Sequence, residues 1–160
     1  MFITLRHAGR TYVEWTREAL VSEAGVPEAI VDAALAPLIV AAAHAEIDAI
    51  CDAIYTASPS RDARYANKYD EAVRYRDAGY PGSVAEAEYP TLVNEAPKRA
   101  MTKRQLADTI IARRDAFNLI GGKAEAARAE VEATVTGAPA GEREQVVRAI
   151  VAAFRALANA

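Results

Sequence analysis

The sequence has 160 residues, 52% hydrophobic and 7% aromatic, which suits one small domain or a small domain with a helical extension. Much of the hydrophobic fraction is alanine, which favours helix but buries little area. We therefore expect thin helical seams that neighbouring chains complete. The net charge of −3 lacks the basic excess that binding to phosphates requires, so we expect no nucleic-acid partner.

The membrane and export signals are weak in this sequence. The N-terminus has no uninterrupted apolar stretch after its first positive charge, so it does not predict a signal peptide. The most apolar run, residues 33–45, contains Pro37 and His44 and is too short to span a bilayer. We therefore expect a soluble protein that is made in the cytoplasm and does not insert into a membrane.

Two short β-prone runs begin the chain. Residues 2–6 and 10–13 flank the turn His7-Ala8-Gly9, and this pattern predicts a small hairpin. A lone hairpin is marginally stable. It must pack on helices or extend the sheet of a partner.

Two helices follow the hairpin. Thr16 can cap a short helix that ends at Gly25, and Pro27 suits the first position of the next helix. The apolar spacing predicts a second helix over residues 27–56, which we interpret as the central buried helix. Pro37 removes one of its backbone hydrogen bonds and predicts a kink.

Tyrosines are concentrated in the middle of the chain. A charged helix is predicted over residues 61–78, a turn at residues 79–82 and a short helix over residues 90–96. Tyrosine is enriched at protein interfaces, but these rings could equally cover a thin core. The two interpretations are evenly balanced, and the candidate partner interface is Tyr65, Tyr69, Tyr75 and Tyr89.

A long helix is predicted over residues 102–136. Thr102 and Gln105 form a capping box at its start. Gly121-Gly122 interrupts it and predicts a bend or a close helix approach. A last amphipathic helix over residues 142–157 is expected to fold back as a helical hairpin. The long helix carries a heptad-like seam that contains Leu106, Ile110, Phe117, Ile120 and Val131.

The predicted fold is therefore mainly α. It is a helical hairpin or bundle with a long C-terminal heptad-patterned helix and a small N-terminal β-hairpin. The predicted regions are residues 1–57 (hairpin plus buried helices), residues 58–101 (Tyr-rich helical connector) and residues 102–160 (C-terminal helical hairpin).

Catalytic chemistry is not indicated by the motifs. His7 and His44 lack ligand spacing, and Cys51 stands alone. Pairs such as Asp70/Glu71 are best explained as solvated helix faces, because sequence spacing gives no cleft for two acting carboxylates. We expect no enzyme activity, no cofactor and no metal. A basic cluster at residues 98–104 and 113–114 favours an acidic partner surface or solubility over nucleic acid.

A family resemblance lies in the stretch from Ile54 to Ala133. It depends on Arg64-Tyr65, Lys68, Glu71-Ala72, Tyr75, Tyr89-Pro90-Thr91-Leu92 and Glu95-Ala96, followed by a long helix rich in Ala, Arg and Glu. This stretch resembles small proteins of tailed bacteriophages and prophages that are encoded among the tail genes, near the tail fibres.

The resemblance implies a tail-associated role and a location in the virion tail after synthesis in the host cytoplasm. The preferred hypothesis is a non-enzymatic structural component near the tail fibre or baseplate. It would self-associate through its helical seams and bind other tail proteins. The alternative is a tail-fibre assembly chaperone that is not retained in the virion.

Overall fold

The computed structural model describes residues 1–54 and 59–159, with side chains described for residues 1–54 and 63–159. The chain forms two compact units, unit 1 (Met1–Ile54 and Lys123–Ala160) and unit 2 (Tyr55–Gly122). The elements in chain order are β1 (Ile3–His7), β2 (Arg10–Trp15), α1 (Arg17–Ser22), α2 (Glu28–Ile54), α3 (Pro59–Asp77), α4 (Pro90–Glu95), a 3-10 turn (Pro97–Arg99), α5 (Lys103–Gly137) and α6 (Arg143–Ala158).

The N-terminal hairpin of unit 1 confirms the predicted strands. β1 and β2 pair antiparallel, and Ala8 and Gly9 both have positive φ at the turn between them. Positive φ at both central residues matches the twist of the flanking strands. The register is irregular between Ile3 and Leu5, where Glu14 on β2 has a φ of 58°. Ile3 and Leu5 point into the core.

The start of α2 is fastened to α1 by polar contacts. Thr16 caps α1 as predicted, because its Oγ1 accepts a hydrogen bond from Ala19 N at 3.2 Å. Arg17 Nε donates to Asp32 Oδ1 at 2.7 Å, and the same guanidinium is ion-paired with Glu28. These contacts fix the short α1, which otherwise buries only Leu20.

Three helical segments form the rest of unit 1. His44 Nε2 lies 3.7 Å from Glu132 Oε1, and Asp48 is ion-paired with Arg128. From the first contact to the second, the residue number rises on α2 and falls on α5. These two segments are therefore antiparallel. α6 follows α5 after a short loop, and α6 packs closely on α2.

The core of unit 1 lies between these segments. The buried positions of α2 follow helical spacing on a single face. The ion pair of Glu46 with Arg155 joins α2 to α6 at the edge of this core. Buried side chains of the three helical segments are Val31, Leu35, Ile39, Ala43, Ile47, Ile50, Ala124, Ala127, Val131, Val135, Val147, Ile150, Val151 and Phe154.

Unit 2 has its own core, built from α3, α4 and the first part of α5. Its buried members are small or aromatic apart from three branched aliphatic side chains. Partly buried side chains, including Tyr69, Tyr89 and Ile110, pack against it. The buried members are Ala72, Tyr75, Leu92, Ala96, Leu106, Ala107 and Ile111.

A buried carboxylate of α3 holds the short helix α4. Glu71 is 3% exposed, and its Oε1 and Oε2 accept hydrogen bonds from Leu92 N at 2.7 Å and Thr91 N at 3.1 Å. The N-cap residue of α4, Tyr89, makes no side-chain cap bond, so Glu71 satisfies these free N–H groups from another helix. The expectation that Glu71 lies on a solvated face is wrong.

The mainly helical fold with a small N-terminal hairpin is confirmed, but the heptad pattern of the long helix is not. α5 is 35 residues long and has two separate buried stretches. Leu106, Ala107 and Ile111 lie in unit 2, and the buried residues from Ala124 onward lie in unit 1. None of residues 112–123 is buried.

The unit boundary falls inside α5, directly after Gly122, whereas the sequence predicted a boundary between residues 101 and 102. The helix continues through Gly121 and Gly122. A Cβ at either glycine would meet nothing within 4 Å among the described residues. The predicted close helix approach is therefore not found there.

Candidate functional site

An apolar surface of unit 1 lies on α2, opposite its buried positions. We call it the α2 outer face and define it as Ile30, Ala33, Pro37, Leu38, Ala41 and Ala45. All six are exposed, with Ile30 at 38% and Leu38 at 37%. Every exposed position between residues 30 and 45 is apolar. The predicted central helix is therefore buried on one face only.

The composition of α2 bears on the expectation of no membrane insertion. Among the described helices, α2 alone is long and apolar enough to cross a membrane, with 27 residues and a mean hydropathy of 1.7 in its most apolar window. Only 28% of that window is buried. The helix also continues through Pro37, so it is longer than the 13-residue run considered from the sequence.

A second apolar surface of unit 1 is a groove of about 370 Å³ between α5 and α6. We call it the α5–α6 groove. On α5 it is bordered by Lys123, Ala127 and Glu130. On α6 it includes Val146, which is 40% exposed, and Leu157, which is 50% exposed.

The four tyrosines of the predicted interface occupy different environments in unit 2. Tyr75 is buried in the core, and its hydroxyl donates to Pro81 O at 3.1 Å. Its ring packs edge to face against the Tyr89 ring, with 5.5 Å between the ring centres. Tyr69 and Tyr89 pack against the same core, whereas Tyr65 is 49% exposed. Three of the four rings therefore cover the core, and Tyr65 has the most exposed ring.

The predicted seam residues of α5 are also divided. Leu106 is buried in unit 2 and Val131 in unit 1. Ile110 packs against the unit 2 core. Phe117 and Ile120 are half-buried. The structure does not bring these residues together as one continuous buried stripe, and their role in binding another chain stays a prediction.

A polar concavity of unit 2 lies beside Glu71. It is lined by α3 residues, including Asp70 and Arg74, and by the segment that precedes α4. The Arg74 guanidinium lies 5.9 Å from the centre of the Tyr89 ring and donates to Glu88 O at 3.3 Å. The concavity is wide and open, and its charged side chains have both signs.

The basic cluster at the start of α5 is partly engaged in contacts within unit 2. Arg104 lies 4.6 Å from the centre of the Tyr80 ring, and the Tyr80 hydroxyl donates to Asp108 Oδ1 at 2.6 Å. That hydrogen bond raises the pKa of Tyr80. Arg99 is paired with Glu95. Thr102 and Gln105 form the predicted capping box, with Gln105 N donating to Thr102 Oγ1 at 3.1 Å.

The reactive side chains of residues 1–54 and 63–159 do not assemble into a recognisable centre. Burial raises the pKa of the half-buried Cys51 thiol, which disfavours the nucleophilic thiolate. His44 Nε2 is buried and has no hydrogen-bond partner among the described residues. Within that part of the chain, no group of three or more His, Cys, Asp or Glu side chains could hold a metal ion.

Comparison with known proteins adds no relative. No family model, no curated protein and no solved structure matches this chain. The functional interpretation therefore depends on the surfaces described above and on the sequence resemblance. Sequence patterns indicated the apolar residues of both surfaces, but they did not show which side of α2 remains uncovered, because both sides of the helix are apolar between residues 30 and 45.

Proposed function

We propose that this protein is a non-enzymatic structural component of a bacteriophage tail, associated with the tail fibre or baseplate, that binds other tail proteins. The observation that carries the proposal is the α2 outer face. It is an uncharged apolar surface that extends over about four helical turns, at 3.6 residues per turn. Single exposed apolar residues are ordinary, but a contiguous apolar surface is typical of an interaction site.

A protein partner fits this face better than a lipid bilayer. The opposite side of α2 supplies core residues such as Leu35 and Ile39. Two of its acidic side chains, Glu46 and Asp48, are paired with arginines of α6 and α5. Membrane insertion of α2 would break these ion pairs and bury charged groups in the hydrocarbon region, which is costly.

The assignment to a phage tail is supported by the sequence resemblance between Ile54 and Ala133. The motif residues of that resemblance have structural roles in unit 2. Glu71 holds α4, Tyr75 lies in the core, and Lys68 is ion-paired with Glu95. The residues of the resemblance therefore stabilise unit 2. The surface that we propose for partners, the α2 outer face, lies in unit 1.

The test uses the phage that encodes the chain, with purified virions analysed by mass spectrometry. We expect peptides of this protein in the tail fraction of wild-type virions. In phage carrying Ala41→Lys we expect their amount to fall at least tenfold, because a charge in the apolar contact must be desolvated. Ala129→Lys is the matched control, since Ala129 is also an exposed alanine of unit 1.

Two outcomes would contradict the proposal. Wild-type virions without the protein, from cells in which it is required for tail assembly, would establish the chaperone alternative. An Ala41→Lys protein that is folded by circular dichroism and incorporated as efficiently as the Ala129→Lys protein would show that the α2 outer face binds no tail protein.

A further inference from the structure

The α5–α6 groove is a second unfilled surface, separate from the α2 outer face. Its α6 side contains large and small apolar residues at helical spacing. Val146, which is 40% exposed, and Leu157, which is 50% exposed, lie at its two ends. The α6 residues of the groove are Val146, Ala149, Ile150, Ala153, Phe154 and Leu157.

We propose that a second copy of this chain occupies the groove, with the two α6 helices antiparallel about a two-fold axis. Together with the two α5 segments they form a four-helix bundle. The inference deepens the proposed function, since it names the partner of one surface of an assembling protein.

The order of side chains along α6 suits this symmetry. Val146 and Leu157 lie at equal distances in sequence from the midpoint between Ile150 and Ala153. An antiparallel pair centred there places the exposed side chains of Val146 and Leu157 of different copies against each other. The exposed alanines Ala149 and Ala153 lie at the centre, and their small side chains let the two α6 helices approach closely.

The charges at the border of the groove suit the same symmetry. Lys123 and Glu130 are the charged residues that line it, and neither has an ion-pair partner among the described residues. Because α6 folds back on α5, Lys123 lies level with Leu157, and Glu130 lies level with Ile150. The two-fold axis then places Lys123 of each copy about four residues, roughly 6 Å along the bundle axis, from the level of Glu130 of the other.

This complementarity favours a second copy over an unrelated helix. Each groove presents one positive side chain, Lys123, and one negative side chain, Glu130. A two-fold axis reverses their order in the second copy, so Lys123 of each copy faces Glu130 of the other and both ion pairs form at once. α6 is 16 residues long, about 24 Å. A contact of that length belongs among the smaller specific interfaces, so we expect a dimer that dissociates on dilution.

The experiment is a charge exchange followed by sedimentation equilibrium over a range of protein concentrations. Lys123→Glu gives a protein with two acidic groove residues, and Glu130→Lys gives one with two basic groove residues. Each variant alone repels its own copy, and we expect its dimer to be weaker than wild type by about tenfold or more, from two reversed pairs.

Mixing the two single variants decides the question. In a mixed dimer every facing pair is again of opposite sign, so an equimolar mixture should dimerise as the wild-type protein does. The double variant Lys123→Glu/Glu130→Lys should dimerise as well. Ala156→Glu is the control, since Ala156 is exposed on α6 but does not line the groove.

The proposal fails if the wild-type chain is monomeric at all concentrations, or if the mixture stays as monomeric as its components. It also fails if the single variants dimerise with wild-type affinity. These results are independent of the tail assignment. A monomeric protein that still enters virions, and loses that ability with Ala41→Lys, would overturn only the groove dimer. A dimer that never enters virions would overturn only the proposed function.

Discussion

Unit 1 and unit 2 bury their surfaces with different kinds of side chain. In unit 1 the helices α2, α5 and α6 meet mainly through alanine, valine and isoleucine, and arginine–carboxylate pairs join the helices at the edges of the core. In unit 2 the contacts are made by tyrosine rings and by side chains that bond to backbone, such as Glu71 and Tyr75. Unit 1 leaves broad apolar faces exposed, whereas unit 2 covers its small core with aromatic rings.

This contrast indicates that alanine-rich helices can form a core on one side and leave an apolar surface on the other. Small side chains let the backbones of α2 and α6 approach closely. The side of α2 that faces away from this contact is also apolar. In unit 2 the six-residue helix α4 is too short to be stable by itself. It depends on the buried hydrogen bonds from its backbone to Glu71, which fix the position of α4.

The largest expected effect separates the two units directly. Glu71→Ala leaves the N–H groups of Thr91 and Leu92 without their acceptor inside unit 2, and we expect a loss of about 3 kcal/mol in the free energy of unfolding. Trp15, the single tryptophan, reports on unit 1 by fluorescence, and the tyrosine signal in near-ultraviolet circular dichroism reports mainly on unit 2.

In urea titrations, the tyrosine transition of Glu71→Ala should move to lower denaturant while the Trp15 transition stays in place. Asp70→Ala is the control, because Asp70 is the exposed neighbour of Glu71 and should change stability by less than about 0.5 kcal/mol. If the two transitions shift together, the two units unfold as one cooperative body and do not have separate free energies of unfolding.

A stabilising change is expected where the two units meet along the chain. Gly121 and Gly122 are helical, with open space where a Cβ would lie, so replacing both with alanine should stabilise α5 by up to about 1 kcal/mol each. The measurement is the urea midpoint of both transitions. Gly79→Ala is the opposite control, since Gly79 has a φ of 77° and alanine there should destabilise unit 2. A lower midpoint for the double variant would show that the glycines serve a bend.

The smallest effect is a pH dependence of unit 2. Burial opposes ionisation of Glu95, but its ion pair with Lys68, together with the contact from Arg99, outweighs burial and lowers the pKa of Glu95. A lowered pKa stabilises the folded state above the unfolded pKa of about 4.3, and this contribution disappears as the pH falls through the folded pKa. Both side chains are about a quarter exposed, so we expect less than about 1 kcal/mol.

The check is the tyrosine transition at pH 7 and near pH 3. Glu95→Gln should reduce the difference between the two, whereas Glu88→Gln, at an exposed carboxylate, should leave it unchanged. An equal pH dependence in wild type and Glu95→Gln would mean that the Lys68 pair does not contribute to folding.

Local signals in the sequence predicted most elements of the fold. The Thr16 cap, the capping box of Thr102 and Gln105, and the loop before α6 act over a few residues, so their chemistry can be recognised without knowledge of the fold. The hairpin turn at Ala8-Gly9 is a local signal of the same kind. The six helices and two strands found in the described part of the chain lie close to the predicted ranges.

Contacts between residues that are far apart in the sequence could not be predicted in the same way. The buried position of Glu71 depends on α4, which lies about twenty residues away, and the sequence of α3 alone does not distinguish it from the exposed Asp70. The heptad-like seam was not confirmed, for a related reason. Leu106 and Val131 share an apolar spacing, but spacing does not show that they contact the cores of different units. The resemblance to phage tail proteins stays a prediction.

Pro37 has a consequence for the chemistry of the α2 outer face. Proline has no N–H, so the carbonyl oxygen of Ala33, four residues earlier, lacks the regular helical donor. Both residues are exposed on that face. A hydrocarbon-like surface thus contains one hydrogen-bond acceptor at a fixed place. A partner that brings a hydroxyl, amide or guanidinium group to this oxygen gains a defined orientation, which sliding apolar contacts by themselves do not provide.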